Sequence, residues 1–294
     1  MTRTSIRRRR PMADFWQALI DPDFPFLRYA LIGGLLASIA FGVVGSYVVT
    51  RRVSYLAGGI SHSALGGIGA ALFLQQVWGI AWFDPMLGAA LVAVGSALVI
   101  GLVGIYGSGR EDTAIGAVWA LGMAAGFVLM DRLPVSVDAT SYLFGNIVLV
   151  SKADLVWVGV LDLIVVATAV AFYPKFLAVS FDEPFAEARG IHVRFYYLLL
   201  LVLTAVTVVL LVRLVGIIMA IALLTLPAAT AGLFARRLWQ MALFAVVLCA
   251  VTVVAGLTVA YPLNWPCGPV VVILAVAAYA GGVLVKNLVK WAIP

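Results

Sequence analysis

One of only two histidines in the chain, His62, lies inside a long apolar stretch, residues 51–72, which reads RRVSYLAGGISHSALGGIGAAL. On a helix, positions 58, 62, 66 and 70 stack on one face, and here they read Gly, His, Gly and Ala. This pattern predicts open space one turn above and one turn below the imidazole. A neutral imidazole is a common ligand for zinc and related ions, so His62 is a candidate metal ligand.

The neighbouring helical row, Gly59, Ser63 and Gly67, has the small-xxx-small spacing that lets membrane helices approach closely. At 1.5 Å per residue, His62 would lie about 15 Å from Arg52, near the middle of a bilayer. An imidazole at that depth faces a cavity or another helix. Metal binding and a hydrogen bond across a helix interface therefore both remain open, and one histidine alone cannot complete a metal site.

Two aspartates are weaker candidates for the same chemistry. Asp162 falls in the middle of an apolar segment, where an acid costs about 3 kcal/mol to insert. It would either line a pathway or pair with a polar neighbour. Asp138 follows another apolar segment, where it would be a solvated carboxylate or would attract cations to an entrance.

The composition that surrounds these residues is that of an integral membrane protein. Of 294 residues, 64% are hydrophobic and 11% charged, and the mean hydropathy is +1.13. Long apolar runs favour an all-α, polytopic bundle of about eight or nine transmembrane helices over a barrel. The candidate spans lie near 27–49, 55–76, 86–106, 113–130, 155–173, 195–212, 214–234, 240–261 and 269–286.

Charge and motifs exclude several function classes. The chain has 19 Lys and Arg against 13 Asp and Glu, but five arginines, Arg3 and Arg7 to Arg10, crowd into the N-terminal tail. A nucleic-acid partner is not expected for a chain this apolar. No lysine follows a glycine, so there is no phosphate-binding loop, and there is no HExxH motif. We therefore expect no enzyme activity and no cofactor of the chain's own.

The charges between the spans predict the orientation in the membrane. Ten basic residues fall in segments assigned to the cytoplasmic side: Arg51, Arg52, Arg110, Lys175, Arg189, Arg194, Arg236, Arg237, Lys286 and Lys290. Nine spans would place the basic N-terminal tail, residues 1–26, outside. Either the native start is Met12, which removes the five arginines, or one span near 195–234 is miscounted.

Two polar interruptions are long enough to form structure of their own. Residues 174–194 predict one or two short helices at the cytoplasmic surface, with Pro184 beginning a helical turn and Gly190 ending one. The other, residues 131–152, contains SYLFGNIVLV, which is too short to span and predicts a re-entrant or interfacial helix.

Several of these segments together resemble the membrane permeases of ABC importers for zinc, manganese and iron. The opening stretch resembles a family motif with an arginine pair, a serine and a histidine. EDTAIGAVWALGMAAG, SYLFGNI and VGIIMAIALLTLPAATAGLFAR follow in the family order, and then the Gly-Pro pair at 268–269. The resemblance covers about residues 27–286.

The resemblance implies that His62 lies on the substrate pathway between two permease copies, where the family carries an acid one turn earlier. Gly58 takes that acid's place here. A pair of His62 side chains without carboxylates would favour zinc over manganese. The glycine is equally consistent with a hydrophobic gate or a transient site.

The resemblance also implies that 174–194 forms coupling helices that dock on a separate ATPase, with Glu183, Glu187, Arg189 and Gly190 at the contact. The implied protein is a homodimeric, lipid-embedded permease of the prokaryotic cytoplasmic membrane, similar in architecture to vitamin B12-type importer permeases. Residues 27–290 would form its single transmembrane domain. An ATP-hydrolysing subunit and an extracytoplasmic metal-binding protein would be its partners.

Two alternatives remain at this point. A chelate or vitamin permease of the same architecture would not need His62. A secondary transporter would function without an ATPase.

Overall fold

The computed structural model describes residues 15, 19–21, 25–107, 111–134 and 150–292, which form helices and turns without a strand. The helices of this part of the chain are α1 (Pro25–Thr50), α2 (Ser54–Val77), α3 (Pro85–Tyr106), α4 (Glu111–Asp131), α5 (Lys152–Ala171), α6 (Tyr173–Phe181), α7 (Glu183–Ala188), α8 (Val193–Val215), α9 (Ile217–Phe234), α10 (Leu238–Leu263) and α11 (Cys267–Ala292).

Eight of the described helices are long and apolar enough to cross a membrane. The helix α8 has 23 residues, or about 35 Å, and is apolar over Val193–Val209. The predicted all-α bundle of eight or nine spans is therefore confirmed. A single residue, Gly216, separates α8 from α9 with φ of 80° and ψ of 163°, a backbone conformation essentially restricted to glycine. The region 195–234 thus contains two helices.

Glycines bring α2 into direct contact with the helices on both of its sides. A Cβ atom placed on Gly66 would lie 2.7 Å from the carbonyl oxygen of Gly122 in α4, and one on Gly67 would lie 2.1 Å from that of Gly88 in α3. The hydroxyls of Ser63 and Ser96 are 2.9 Å apart between α2 and α3. The close helix approach predicted from the small-residue row is confirmed, and α2 is the most buried of the eight apolar helices.

Both short helices lie at one end of the bundle, which we call the coupling end. The α1–α2 turn lies there too, because Arg51 donates a hydrogen bond to the Val179 carbonyl of α6. The opposite end holds Phe15, whose ring packs edge-on against Tyr261 near the end of α10, with 5.8 Å between ring centroids. Leu238, at the start of α10, lines one pocket with Tyr173 of α6, so Tyr261 near the other end of α10 and residue 15 beside it lie at the end away from α6 and α7.

The segment 174–194 folds as its sequence predicts. Asp182 caps α7 by accepting a hydrogen bond from the Phe185 backbone N–H, and Pro184 lies in the first turn. Gly190 ends the segment with φ of 74°, where a side chain would be strained. The SYLFGNIVLV segment lies outside the described residues, apart from Val150.

Candidate functional site

The imidazole of His62 lies flat against the indole of Trp119, with ring centroids 4.5 Å apart and planes 5° apart. The Trp119 Nε1–H donates to the sulfur of Met123 at 3.0 Å, one turn further along α4. This bond holds the indole plane in place over the imidazole. One face of the histidine ring is therefore covered by an aromatic side chain that the sequence reading did not single out.

The Nδ1 atom of His62 is buried and has no hydrogen-bond partner among the described residues. Buried polar atoms are nearly always paired, and an unpaired one in a native structure requires an explanation. None of the described residues supplies a partner for this nitrogen. A neutral imidazole nitrogen without such a partner can serve as a metal ligand.

The space beside His62 is asymmetric. Within the described structure, a Cβ atom on Gly58 would meet nothing within 4 Å, although the residue is buried from solvent. One turn in the other direction, Gly66 packs against the backbone of Gly122. The predicted open space exists on the Gly58 side, and the prediction for the Gly66 side was wrong because α4 fills it.

This position supplies one donor atom and is not a complete metal centre. The described residues contain no group of three or more His, Cys, Asp or Glu side chains that could hold a metal ion. A metal passing His62 would need further donors, from water or from another chain. The geometry suits transient contact better than tight storage.

The structure does not bring Asp162 to His62. Asp162 lies between α5 and α1, where its Oδ1 accepts a hydrogen bond from the backbone N–H of Ala40 at 3.2 Å. His62 lies between α2 and α4. Asp162 therefore ties α1 to α5, the structural alternative for this residue, although its Oδ2 is buried without a partner in the described part of the chain. Asp138 lies outside the described residues.

The four residues predicted to contact an ATPase lie at the coupling end. Glu183 forms an ion pair with Arg51, and Glu187 lines the same cleft of about 710 Å³. The guanidinium of Arg189 lies 5.2 Å from the Phe185 ring centre, and Gly190 follows it directly. The segment thus presents a charged, half-exposed surface.

Sequence reasoning missed three residues that connect this site. Arg51 was noted for its charge, and Trp119 and Glu111 were quoted inside EDTAIGAVW without a role. The indole of Trp119 covers His62, and Glu111 accepts a hydrogen bond from Tyr197. The sequence signal that could have identified two of them is the spacing of Glu111, at the start of a predicted helix, and Trp119, about two turns later.

With this geometry established, comparisons with known proteins identify the class. The model of the ABC 3 transport family matches residues 23–286, and the chain belongs to this family, the metal-type permeases of ABC transporters. The resemblance found in the sequence is thereby confirmed, as is the multi-pass membrane location. The family supplies the permease component of an ABC transporter.

Individual relatives agree with the family. A probable metal transport system membrane protein of Chlamydia trachomatis is 38% identical over 264 residues, covering 90% of both chains. The manganese transport system membrane protein MntC of Listeria innocua is 36% identical over 254 residues, covering 86% of this chain and 88% of the relative.

Solved structures agree as well. PsaBC from Streptococcus pneumoniae, solved with a Fab, matches with a TM-score of 0.80 and 31% identity, covering 92% of this chain and 95% of that one. An inward-facing ABC transporter of the metal-chelate type matches with a TM-score of 0.72 at 16% identity. The second match shows the fold alone.

Proposed function

We propose that this permease is the membrane subunit of an ATP-driven importer of a divalent transition-metal ion, and that the ion passes His62. The observation that carries the proposal is the unpaired, buried Nδ1 of His62 beside the open position at Gly58. A chelate enclosed by its own ligands would not need a free imidazole on the path. A bare metal ion exchanging its water ligands would.

Manganese and zinc are the leading candidates for the cargo, each favoured by a different observation. Manganese is favoured by relatives that are named manganese transport or import proteins. Zinc is favoured by the donor type, because a site with imidazole and without a carboxylate at position 58 suits the softer ion. Iron is the third candidate, from the family resemblance.

The pathway would lie between two copies of the chain. In one copy the helix α4, which carries Trp119 over His62, buries only 17% of its apolar window, compared with 83% for α2. A face of α4 so exposed in a single chain is available to a second surface, which would close the path around the ion. A two-fold partner would supply that surface and a second His62.

Energy would come from a separate ATPase, since the chain has no phosphate-binding loop. The surface formed by α6 and α7 offers that subunit a docking site at the coupling end. An extracytoplasmic metal-binding protein would deliver the ion to the opposite end. Closure of two ATPase subunits would then move α6 and α7 and alternate access to His62 between the two sides.

The test is ATP-dependent uptake by the complex of permease, ATPase and binding protein in proteoliposomes, with zinc, manganese and iron supplied separately. We expect uptake of one metal to exceed that of the others and to require both partners. The variant His62→Ala should abolish most of this uptake while ATP hydrolysis and assembly persist.

The matched control is His192→Ala, which removes the other histidine of the chain, an exposed residue just before α8. It should transport like the wild type. Wild-type uptake by both variants would show that His62 is a packing residue and would favour a chelate as the substrate. Uptake that needs no ATPase would indicate a secondary transporter.

A further inference from the structure

Arg51 occupies the tight turn that joins α1 to α2, at the coupling end. The next residue, Arg52, has a positive φ of 61°, and the Val53 N–H returns to the carbonyl of Val48 at 3.1 Å. The turn is therefore compact, and the position of Arg51 is tied to the first turn of α2. Because Arg51 is held close to α2, a movement of the residues that its side chain contacts can be transmitted to α2.

The side chain of Arg51 reaches both short helices of the coupling segment. One terminal nitrogen donates to the Val179 carbonyl in α6 at 2.7 Å, and the other pairs with the carboxylate of Glu183 at the start of α7. Only 11% of the Arg51 side chain is exposed, against 51% for Glu183. Arg51 is therefore the fixed partner, and Glu183 belongs to the accessible surface of the segment.

The same guanidinium also contacts the helix α8. It lies 4.3 Å from the centre of the Tyr197 ring, within the range of a cation–π interaction. The Tyr197 hydroxyl in turn donates to the carboxylate of Glu111, in the first turn of α4. Arg51, Tyr197 and Glu111 thus form a continuous polar chain from the coupling segment to α4.

Arg51 is connected to the stacked rings of His62 and Trp119 in two ways, through α2 and through α4. Along α2, His62 lies 11 residues away, or about 16 Å. Along α4, Trp119 lies eight residues beyond Glu111, or about 12 Å. Because His62 and Trp119 stack, a displacement of α2 relative to α4 changes the cover over the imidazole.

The contact to α7 is suited to forming and breaking. An ion pair with a half-exposed partner is weak and is screened by salt. The contacts that hold α6 are different, because Phe176 packs on Tyr47 of α1 with centroids 5.4 Å apart and is almost fully buried. The segment therefore has a fixed apolar anchor in α6 and a weak polar contact at α7.

We propose that Arg51 is a positioning residue that couples the movement of the coupling segment to the opening of the His62–Trp119 pair. When Glu183 is drawn away by the docked ATPase, Arg51 and its chain to Glu111 shift α2 against α4. This inference rests on the proposed function, since it requires an ATPase at the segment. The coupling between the α6–α7 segment and the His62–Trp119 pair would then depend on the Arg51 side chain and its contacts.

The test measures how much metal enters per ATP hydrolysed, in proteoliposomes that contain the whole complex. The variant Arg51→Gln should lower this ratio by about fivefold or more, the lower range for allosteric coupling, while ATP hydrolysis and assembly persist. The matched control is Arg52→Gln, which removes the same charge from the next residue, an exposed one with a positive φ. It should keep the wild-type ratio.

Two further variants isolate the chain of contacts. Glu183→Gln should lower the ratio in the wild type but add little to Arg51→Gln, because Arg51→Gln has already lost the ion pair between residues 51 and 183. Tyr197→Phe keeps the ring under the guanidinium but loses the hydroxyl bonded to Glu111, and it should also lower the ratio.

The outcomes separate the inference from the function on which it rests. A wild-type ratio in Arg51→Gln would overturn the inference while leaving the proposed function intact. If Arg51→Gln does not assemble, wild-type ratios in both Glu183→Gln and Tyr197→Phe would overturn it. A wild-type complex without ATP-dependent uptake would refute the proposed function, and the inference with it.

Discussion

Restoring an acid one turn before His62 is the most informative single change in this chain. Gly58→Asp places a carboxylate on the same helix face as the imidazole, at a Cβ separation of about 5–6 Å. The structure leaves room for the first atom of this side chain, because a Cβ atom at Gly58 meets no described heavy atom within 4 Å. The variant therefore tests metal binding with little steric disturbance.

The expected gain follows from simple electrostatics. A carboxylate about 5 Å from a divalent ion gains about 7 kcal/mol at an effective dielectric of about 20. Placing an acid within a membrane helix costs about 3 kcal/mol. The difference of about 4 kcal/mol corresponds to several hundredfold in affinity at about 1.4 kcal/mol per tenfold, and we take a gain of at least about tenfold in metal affinity as the result that Gly58→Asp must show. The added carboxylate should also shift the preference toward manganese.

The assay is equilibrium metal binding to the purified permease–ATPase complex, with zinc and manganese in competition. Gly58→Asn is the control, since it has nearly the same shape without the charge. The gain should disappear in the double variant Gly58→Asp with His62→Ala. Equal binding by the Asp and Asn variants would refute the reasoning that position 58 faces the metal path.

Three further variants test the packing around the site. Gly66→Ala should destabilise the protein by about 1–3 kcal/mol and lower its melting temperature, since its Cβ would lie 2.7 Å from a backbone oxygen. The control Gly58→Ala should leave the melting temperature unchanged. Equal melting temperatures for the two variants would contradict the packing described. Trp119→Ala should speed the modification of His62 by diethyl pyrocarbonate, measured by mass spectrometry. An unchanged rate would show that the indole does not shield the imidazole from the reagent. Asp162→Leu should be less stable than Asp162→Asn by about 1–3 kcal/mol, because Asn keeps an acceptor for the backbone N–H; the reverse order in thermal melts would contradict the structural role.

Much of the fold follows from the sequence because a bilayer imposes length and apolarity on every span. Each candidate span corresponds to one helix, including the pair divided at Gly216. The small residues of α2 also predicted its close contacts, since only a missing side chain lets two backbones meet. The start of a helical turn at Pro184 and its end at Gly190 were also predictable, because each depends on the backbone preference of a single residue.

The site was less predictable because it depends on which helices become neighbours. Periodicity places Gly58 and Gly66 on one face with His62, but it does not show that α4 runs beside α2 and fills the side of Gly66. The contact between Asp162 and Ala40 joins residues 122 positions apart. The chain from Arg51 to Tyr197 and Glu111 likewise requires three helices to converge.

The measurement that tests the central claim most directly is the coordination of the cargo metal itself. X-ray absorption at the metal edge, recorded on the metal-loaded permease–ATPase complex freed of its binding protein, distinguishes imidazole nitrogen from oxygen ligands. We predict an imidazole contribution that persists in His192→Ala and disappears in His62→Ala. An all-oxygen spectrum in the wild type, or an imidazole signal that survives the loss of His62, would contradict the account.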